Sequence, residues 1–258
     1  MKRDIYHSLI TWKKSDKRKP LILQGARQVG KTYILKEFGG HEYGDTAYFN
    51  FEANPALSDF FKWTISPQKI LEKLSIYRER PILPEKTLVI FDEIQLCPEA
   101  LTSLKYFQEE AGKYHIAAAG SLLGIRLGRQ SSFPVGKVNF LNMYPLSFGE
   151  YLDGIGKSGL RELLRAVMAP EPFEAAFHEE LLENLRLYYF IGGMPEAIEQ
   201  YKQDKDLAKV RTIHSEILAA YMLDISKHAS KTEAIKIAGV WNSIPEQLAK
   251  ENKKFKFS

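Results

Sequence analysis

Residues 25–32 read Gly25-Ala26-Arg27-Gln28-Val29-Gly30-Lys31-Thr32 and match the P-loop pattern G-x-x-x-x-G-K-[ST]. The short apolar run at 21–23 predicts a buried strand before them. Residues 33–38 predict the helix that follows, which we expect Gly39 and Gly40 to end. A strand before and a helix after are the context in which this pattern binds phosphate. The alternative is an ordinary glycine-rich turn between strand and helix.

The chemistry of phosphate binding accounts for each part of this pattern. Glycines let the backbone turn tightly and approach a ligand, and successive N–H groups at a helix N-terminus then face the anion. Lys31 adds positive charge toward the β- and γ-phosphates, and the Thr32 hydroxyl is placed to ligate Mg²⁺. The predicted nucleotide-binding residues are Gly25, Ala26, Arg27, Gln28, Val29, Gly30, Lys31, Thr32 and Tyr33.

An acidic pair, Asp92 and Glu93, follows the continuous apolar run at 88–91. Carboxylates at the end of a buried strand are costly unless they have a partner or a task. In a P-loop protein the first acid holds Mg²⁺ and the second orients or deprotonates the attacking water. We therefore predict that Thr32 and Asp92 bind the metal and that Glu93 acts in catalysis beside Lys31. The alternative is a strand that ends in a solvated acidic loop.

Three further polar residues follow the small-residue strand predicted at 116–119. Ser121 lies at the tip of that strand, where a hydroxyl can sense the γ-phosphate or can cap a following short helix. Arg126 and Arg129 occur in the loop-rich segment 122–134. An arginine there can stabilise charge on the transferred phosphoryl group, in cis or in trans. Ser121 and Arg129 are our remaining candidate catalytic residues.

The remaining pattern completes an α/β protein with 258 residues. Strands are predicted at 46–52 and 138–141, with helices at 55–62, 67–77, 98–110 and 145–152. From about residue 158 the periodicity is helical, Gly192 and Gly193 end one helix, and Pro195 begins the next. We predict a P-loop ATPase core over 1–155. Over 156–258 we predict an α-helical lid and the start of a truncated C-terminal region.

Composition limits the classes of protein that remain. The chain contains 45% hydrophobic and 26% charged residues, and no apolar run of eighteen, so we expect a globular protein without a membrane span. The polar N-terminus argues against a secretory signal, and the single Cys97 suits a reducing compartment, so a cytoplasmic location is expected. The histidines have no metal-ligand spacing, so no zinc is expected.

The net charge of +4 is modest, but basic residues gather near both ends of the chain. Such runs contact nucleic acid in some proteins and are solvated faces in others. No aromatic platform for single strands accompanies them. The basic residues concerned are Lys13, Lys14, Lys17, Arg18 and Lys19, and then Lys250, Lys253, Lys254 and Lys256.

Several segments resemble the bacterial and archaeal predicted AAA+ superfamily ATPases, in which an AAA domain precedes a C-terminal domain of unknown function. The resemblance covers nearly the whole chain, and the segments from residue 88 onward are more specific than the P-loop alone. It rests on GARQVGKT at 25–32, LVIFDEIQLCPEAL at 88–101, AAAGSLLGIRL at 117–127, SFPVGKVNFLNMYPLSFGEYL at 132–152, YFIGGMPEAI at 189–198 and the tail at 244–257.

The resemblance implies a parallel five-stranded sheet of the additional-strand type, with the strand at 117–119 inserted between the P-loop strand and the Asp92 strand. That order would bring Ser121 near the γ-phosphate as a sensor, and Glu93 would be the catalytic base of Walker B. Gly193-Met194-Pro195 resembles a G-x-P motif whose proline packs near the nucleotide base, so Pro195 joins the predicted nucleotide-binding residues. Asn50 corresponds to a position that restrains the catalytic glutamate in some members.

The sequence also departs in two respects from the pattern of the AAA+ ATPases that it resembles. The helical segment has no obvious sensor arginine, and Arg211 is the nearest candidate. The chain stops at Ser258, soon after a tail that resembles the entry to the family's C-terminal domain. We therefore expect that the full C-terminal module, and with it the contact to an unknown protein partner, is missing.

Three hypotheses about function follow. The first is Mg²⁺-dependent binding and hydrolysis of ATP to ADP, acting as a conformational switch between core and helical lid. The second is a nucleotide-regulated scaffold with little turnover. The third is a DNA-associated motor or loader, suggested by the basic residues near the chain ends. A P-loop kinase is disfavoured because no stretch suggests an acceptor site.

Overall fold

The computed structural model describes residues 1–121, 136–167, 172–228 and 231–248. Within these ranges the strands form one sheet, and every strand pair in it is parallel. The strands are β1 (Leu21–Gly25), β2 (Asp45–Asn50), β3 (Thr87–Asp92), β4 (His115–Ser121) and β5 (Asn139–Met143).

Helices occupy most of the other described residues, together with short 3-10 helices at Pro55–Ser58 and Ile94–Leu96. None of the described helices is both long and apolar enough to cross a bilayer. The α-helices are α1 (Ile5–Lys14), α2 (Lys31–Glu42), α3 (Asp59–Lys62), α4 (Pro67–Tyr77), α5 (Pro98–Glu110), α6 (Phe148–Gly154), α7 (Ser158–Ala166), α8 (Ala175–Ile191), α9 (Pro195–Asp204), α10 (Leu207–His228) and α11 (Lys231–Leu248).

The strand order is β2-β3-β4-β1-β5, which confirms the predicted fold class of a parallel five-stranded sheet flanked by helices. β4 lies between β1 and β3, as the resemblance implied. Because all strands run in one direction, the carboxyl ends of β1, β2, β3 and β4 meet at the same edge of the sheet. The P-loop begins at the last residue of β1 at that edge, and the acidic pair begins at Asp92, the last residue of β3.

Alternation along the strands divides the core into two apolar clusters, one on each face of the sheet. In β3, Val89 and Phe91 belong to the cluster that includes residues of α4 and α5. Leu88 and Ile90 belong to the cluster that includes residues of α1 and α2. Successive side chains of β3 point to opposite faces of the sheet, so β3 contributes apolar residues to both clusters. It is therefore buried along its whole length.

The chain divides into two compact units, Met1–Val210 and Arg211–Ser258. The first contains the whole sheet and the helices through α9. In the second, the rings of Tyr221 in α10 and Trp241 in α11 stack with their centroids 5.8 Å apart. The domain boundary predicted between residues 155 and 156 stays a prediction.

The helix after the P-loop is longer than the sequence suggested. We expected Gly39 and Gly40 to end it, but α2 continues through both to Glu42. A Cβ added at Gly39 would lie 2.4 Å from Oγ1 of Thr46, at the start of the neighbouring strand β2. Gly39 therefore allows α2 and β2 to approach closely, and the prediction of a helix stop there was wrong.

The start of α6 also differs from the prediction of a helix over 145–152. The helix begins at Phe148, and Ser147 caps it. The Ser147 hydroxyl accepts from the Glu150 N–H, while the Glu150 carboxylate accepts from the Ser147 N–H at 2.9 Å. This reciprocal pair satisfies two backbone donors at the helix start, and it outweighs the preference of Pro145 for a first-turn position.

Candidate functional site

The P-loop backbone has left-handed conformations at two residues. Gly30, which directly precedes α2, has a φ of 95°, and Gln28 has a φ of 63°. Such turns aim successive N–H groups into a concave surface that suits an anion. Gly25 has a different requirement: a Cβ there would lie 2.1 Å from the carbonyl oxygen of Met143 in β5. Gly25 therefore allows β1 and β5 to pack closely, and Gly30 allows the left-handed turn of the loop.

Lys31 is buried under the loop that it belongs to. Its Nζ donates to the carbonyl oxygens of Gly25 at 3.0 Å and Ala26 at 2.7 Å. Burial lowers the pKa of the Lys31 ammonium, while the charges of Glu93 and Asp92 act in the opposite direction. The ammonium group therefore lies in the electrostatic field of both acids, at the amino end of α2.

Asp92 joins the end of β3 to the P-loop helix. Its Oδ2 accepts from the Thr32 hydroxyl at 2.8 Å and from the Tyr48 hydroxyl at 2.7 Å. Its Oδ1 accepts from the Glu93 N–H at 3.1 Å. Asp92 is 2% exposed, so these donors replace the water that a buried carboxylate lacks. Thr32 and Asp92, the predicted metal ligands, are thus in direct contact.

Tyr48 is a residue of this site that the sequence analysis missed. It lies on β2, where Asn50 pairs in register with Asp92, and Asn50 Nδ2 donates to the Tyr48 hydroxyl at 3.0 Å. Burial raises the pKa of Tyr48 to about 12, and the hydrogen bond to Asp92 acts in the same direction. The phenol therefore stays protonated at neutral pH and remains a donor to Asp92. Its alternation with Asn50 along one strand was the available signal.

Glu93 follows Asp92 in a left-handed conformation, with a φ of 52°. Its half-buried carboxylate accepts a hydrogen bond from Gln95 Nε2. The described hydrogen bonds of Asn50 go to Tyr48, Asp92 and nearby backbone N–H groups, rather than to Glu93. The side chain that holds Glu93 in this structure is therefore Gln95, which the sequence analysis did not single out.

The remaining candidate catalytic residues are less fully described. Ser121 is the last residue of β4 and lies in register with Gly25, which brings its backbone to the P-loop edge of the sheet. The structure does not describe its side chain. Arg126 and Arg129 lie outside the described residues, so their predicted roles stay predictions.

A cavity of about 620 Å³ opens beside the P-loop within the first compact unit. Pro195, the first residue of α9, shares this cavity with Val29, Gly30 and Tyr33. Apolar side chains form most of the cavity wall, and the lining also includes charged side chains. The other lining residues are Met1, Arg3, Met143, Leu146, Asp153, Gly154, Glu199 and Lys202.

Gly193 fixes the approach of Pro195 to the core. Its carbonyl oxygen accepts from the Leu146 N–H at 2.6 Å, and a Cβ at Gly193 would lie 2.3 Å from the Leu146 carbonyl oxygen. Tyr188 in α8 donates to the same Leu146 oxygen at 2.7 Å. The connection between α8 and α9 is therefore held against the segment between β5 and α6 by backbone contacts that need a glycine.

Replacing Gly193 with alanine is expected to lower the free energy of unfolding by about 1–3 kcal/mol, because the added methyl overlaps backbone atoms. Gly159 is the matched control, since a Cβ there meets nothing within 4 Å. Gly159→Ala lies in a helix and should leave the free energy unchanged or raise it by up to about 1 kcal/mol. Urea unfolding compares the two variants, and equal values would contradict the packing argument.

Comparison with known protein families gives two matches along the chain. The first, over residues 17–152, is to the family described as AAA domain. The second, over residues 182–258, is to a domain of unknown function, DUF8612. Together they confirm the predicted order of an AAA domain followed by a C-terminal domain of unknown function.

Individual proteins resemble the chain more weakly. An uncharacterised protein of Methanocaldococcus jannaschii is 24% identical over 196 residues, which cover 72% of this chain and 40% of that protein. The chain thus spans less than half the length of this relative. Thermotoga maritima RuvB has a TM-score of 0.47 at 13% identity, covering 95% of this chain and 76% of that one. A structure of Drosophila ORC bound to DNA has a TM-score of 0.47 at 14% identity, covering 97% and 68%.

Proposed function

The chain belongs to the AAA domain family, and we propose that it binds ATP with Mg²⁺ at the P-loop. Membership of this family implies nucleotide binding and hydrolysis. The observation that carries this proposal is the 2.8 Å hydrogen bond between the Thr32 hydroxyl and Asp92. It joins the start of α2 to the end of β3, so an ion held there would also face phosphates in the P-loop. Metal and phosphates would then share one edge of the sheet.

The residues present fit Mg²⁺ and a triphosphate. Mg²⁺ takes oxygen ligands, few of them from the protein, and Thr32 and Asp92 supply a hydroxyl and a carboxylate. When bound, Mg²⁺ would neutralise charge on the phosphate oxygens. The left-handed Gly30 and the amino end of α2 provide N–H donors. Lys31 provides the charge that anionic phosphates require, and its two carbonyl contacts hold it beside the loop.

For hydrolysis we assign Glu93 as the general base. Its carboxylate would take a proton from the attacking water, and Gln95 would hold the carboxylate in position through the described hydrogen bond. Lys31 would neutralise the charge that develops on the transferred phosphoryl group. We keep Ser121 as a γ-phosphate sensor and Arg129 as a further positive charge in this proposal.

The cavity beside the P-loop is our proposed site for the nucleotide base. Val29, Tyr33 and Pro195 line it, so the base would lie between the P-loop and α9. A ligand that contacts both elements binds more tightly to the arrangement in which both contacts are made. This supports a conformational switch in which nucleotide binding favours one position of α9 relative to the P-loop.

Phosphate release by the purified wild-type protein tests this proposal. We expect γ-phosphate release from ATP under single-turnover conditions with Mg²⁺, and none when EDTA removes the metal. Single-turnover conditions detect slow hydrolysis that steady-state assays miss. Intact ATP after prolonged incubation, despite measurable binding, would remove the hydrolase proposal and favour the nucleotide-regulated scaffold.

A second candidate function, contact with nucleic acid, is supported by a basic edge of the sheet. The amino ends of the parallel strands meet opposite the P-loop, and basic residues precede several of them. Arg18 Nη2 donates to the Gly112 carbonyl at 3.2 Å, and Lys19 Nζ donates to the Gly136 carbonyl at 2.6 Å. The basic edge consists of Lys17, Arg18, Lys19, Lys86, Lys113 and Lys137, with Asp16, Glu85 and Glu109 among them.

Duplex DNA binding measured over a salt series tests this second function. Because each phosphate contact releases counterions, reversing Lys17 and Lys113 to glutamate should weaken binding and reduce the salt slope by about 2. The control is a double variant that carries Lys62→Glu and Lys105→Glu, which changes the net charge by the same amount. It should leave the salt slope nearly unchanged. Equal effects of the two double variants, or no binding at low salt, would contradict a DNA-binding edge.

A further inference from the structure

Arg3 is a buried arginine that binds the P-loop through the Val29 carbonyl. It is 8% exposed, and each of its three side-chain nitrogens donates a hydrogen bond. Nη1 donates to the Val29 carbonyl at 2.9 Å, and Nη2 donates to the Tyr144 carbonyl at 2.5 Å. Nε donates to Oε1 of Glu150 at 3.1 Å. A residue before α1 therefore reaches the P-loop, the segment after β5 and α6 together.

The contact with Val29 has a consequence for the next residue. The peptide unit between Val29 and Gly30 is planar and trans, so its carbonyl and its N–H point in opposite directions. When the guanidinium holds the Val29 carbonyl, the Gly30 N–H must point away from Arg3. Glycine permits many backbone conformations, so Gly30 alone does not fix this orientation. The hydrogen bond from Arg3 to the Val29 carbonyl adds a constraint on it.

Glu150 keeps the guanidinium in place. Its Oε1 accepts from the Asp4 N–H at 2.7 Å as well as from Arg3, and its Oε2 accepts from the Ser147 N–H at 2.9 Å. Glu150 is 6% exposed, and a buried ion pair is tolerated when its remaining polar atoms also have partners. The capping of α6 and the position of Arg3 thus depend on one carboxylate.

We propose that Arg3 is a positioning residue for phosphate binding, which orients the Gly30 N–H toward the anion by holding the Val29 carbonyl. This inference rests on the proposed function, because it assigns the orientation of a donor in that site. Arg3 would act through the loop and not by touching the phosphates, because its described hydrogen bonds go to Val29, Tyr144 and Glu150.

The test compares Arg3→Met with Arg161→Met. Arg161 is buried to a similar extent, at 6% exposure, and is bound to Asp4 and Asp153 instead of the P-loop. Calorimetric titration should show that ADP binds about 10–100-fold more weakly to Arg3→Met. In this variant the Val29 carbonyl loses its charged hydrogen-bond donor, and the Gly30 N–H is no longer oriented toward the anion. In Arg161→Met it should change less than about threefold. Equal losses in the two variants would overturn the inference.

Arg3 also lines the cavity proposed for the nucleotide base, so it could affect ADP affinity there. Pyrophosphate has no base, so its affinity reports on the phosphate site alone. If Arg3 acts on the phosphate site, competition by pyrophosphate should weaken by the same factor as ADP binding. Loss of ADP affinity with unchanged pyrophosphate affinity would overturn the inference and place the role of Arg3 at the base. Wild-type protein that binds neither ligand would instead contradict the proposed function.

Arg3→Lys covers the case in which Arg3→Met does not fold. Lysine keeps the charge and much of the aliphatic stem, but its compact ammonium lacks the planar fork that reaches Val29, Tyr144 and Glu150 together. With a thermal unfolding midpoint close to wild type, Arg3→Lys should still lose about tenfold in pyrophosphate affinity. Wild-type affinity in Arg3→Lys would contradict the positioning role.

Discussion

Replacing Lys31 with alanine is expected to weaken ATP binding at least about 100-fold, because a charge-assisted hydrogen bond in a water-poor site contributes more than a neutral one. Lys31 is 7% exposed and lies between the carbonyl oxygens of Gly25 and Ala26. No other lysine of α2 is buried in this way, since Lys36, the other lysine of that helix, is exposed. Calorimetric titration with ATP and Mg²⁺ measures the loss.

Lys36→Ala is the matched control for this variant. Both substitutions remove one positive charge from α2, but Lys36 lies over the ring of Tyr48, with its Nζ 3.6 Å from the centroid, away from the loop carbonyls. We expect ATP affinity within about threefold of wild type in Lys36→Ala. Similar losses in both variants would mean that the net charge of α2 matters and that Lys31 has no specific role. Thermal unfolding shows whether each variant is folded.

Replacing Glu93 with glutamine is expected to slow ATP turnover by about 100–10,000-fold while ATP affinity stays within about threefold of wild type. Glutamine has nearly the same shape, and its carbonyl oxygen can still accept from Gln95 Nε2, so the local geometry is kept. The substitution removes the ability to take a proton from water. The expected signature is therefore ATP that binds and is not hydrolysed.

Single-turnover phosphate release and ATP titration, run on the same protein samples, measure the two halves of this prediction. Glu99→Gln is a suitable control, since Glu99 is an exposed carboxylate in the first turn of α5. It should retain wild-type turnover. Equal hydrolysis by wild type and Glu93→Gln would remove Glu93 as the base, and loss of ATP binding in Glu93→Gln would indicate a binding role instead.

Much of the fold could be predicted because its signals are local. The apolar runs before Gly25 and Asp92 are buried strands, and the prolines at 67, 98 and 195 begin helices. The meeting of Thr32 with Asp92 follows from the parallel sheet, since the carboxyl ends of β1 and β3 share one edge. The strand order itself came from the resemblance, because periodicity along a strand does not say which strand lies beside it.

The contacts that were missed are long-range in sequence. Arg3 lies 26 residues from Val29 and 147 from Glu150, so no pattern in a window of ordinary length joins them. A local signal existed for Glu150, because Ser147 and Glu150 have the spacing of a capping box. Gly39 was misread as a helix stop because its reason for being glycine is a contact with Thr46 on another element.

We propose above that the P-loop, Thr32 and Asp92 form one site for a magnesium-bound triphosphate. Calorimetric titration of the wild-type protein with ATP plus Mg²⁺, ATP in EDTA, and AMP plus Mg²⁺ is the decisive measurement for this site. We expect the tightest binding for ATP with Mg²⁺ and weaker binding of ATP without the metal. AMP should bind at least about 100-fold more weakly than ATP, because AMP lacks the phosphates that Lys31 and the loop would hold. Equal affinity for ATP and AMP, unaffected by Mg²⁺, would contradict it.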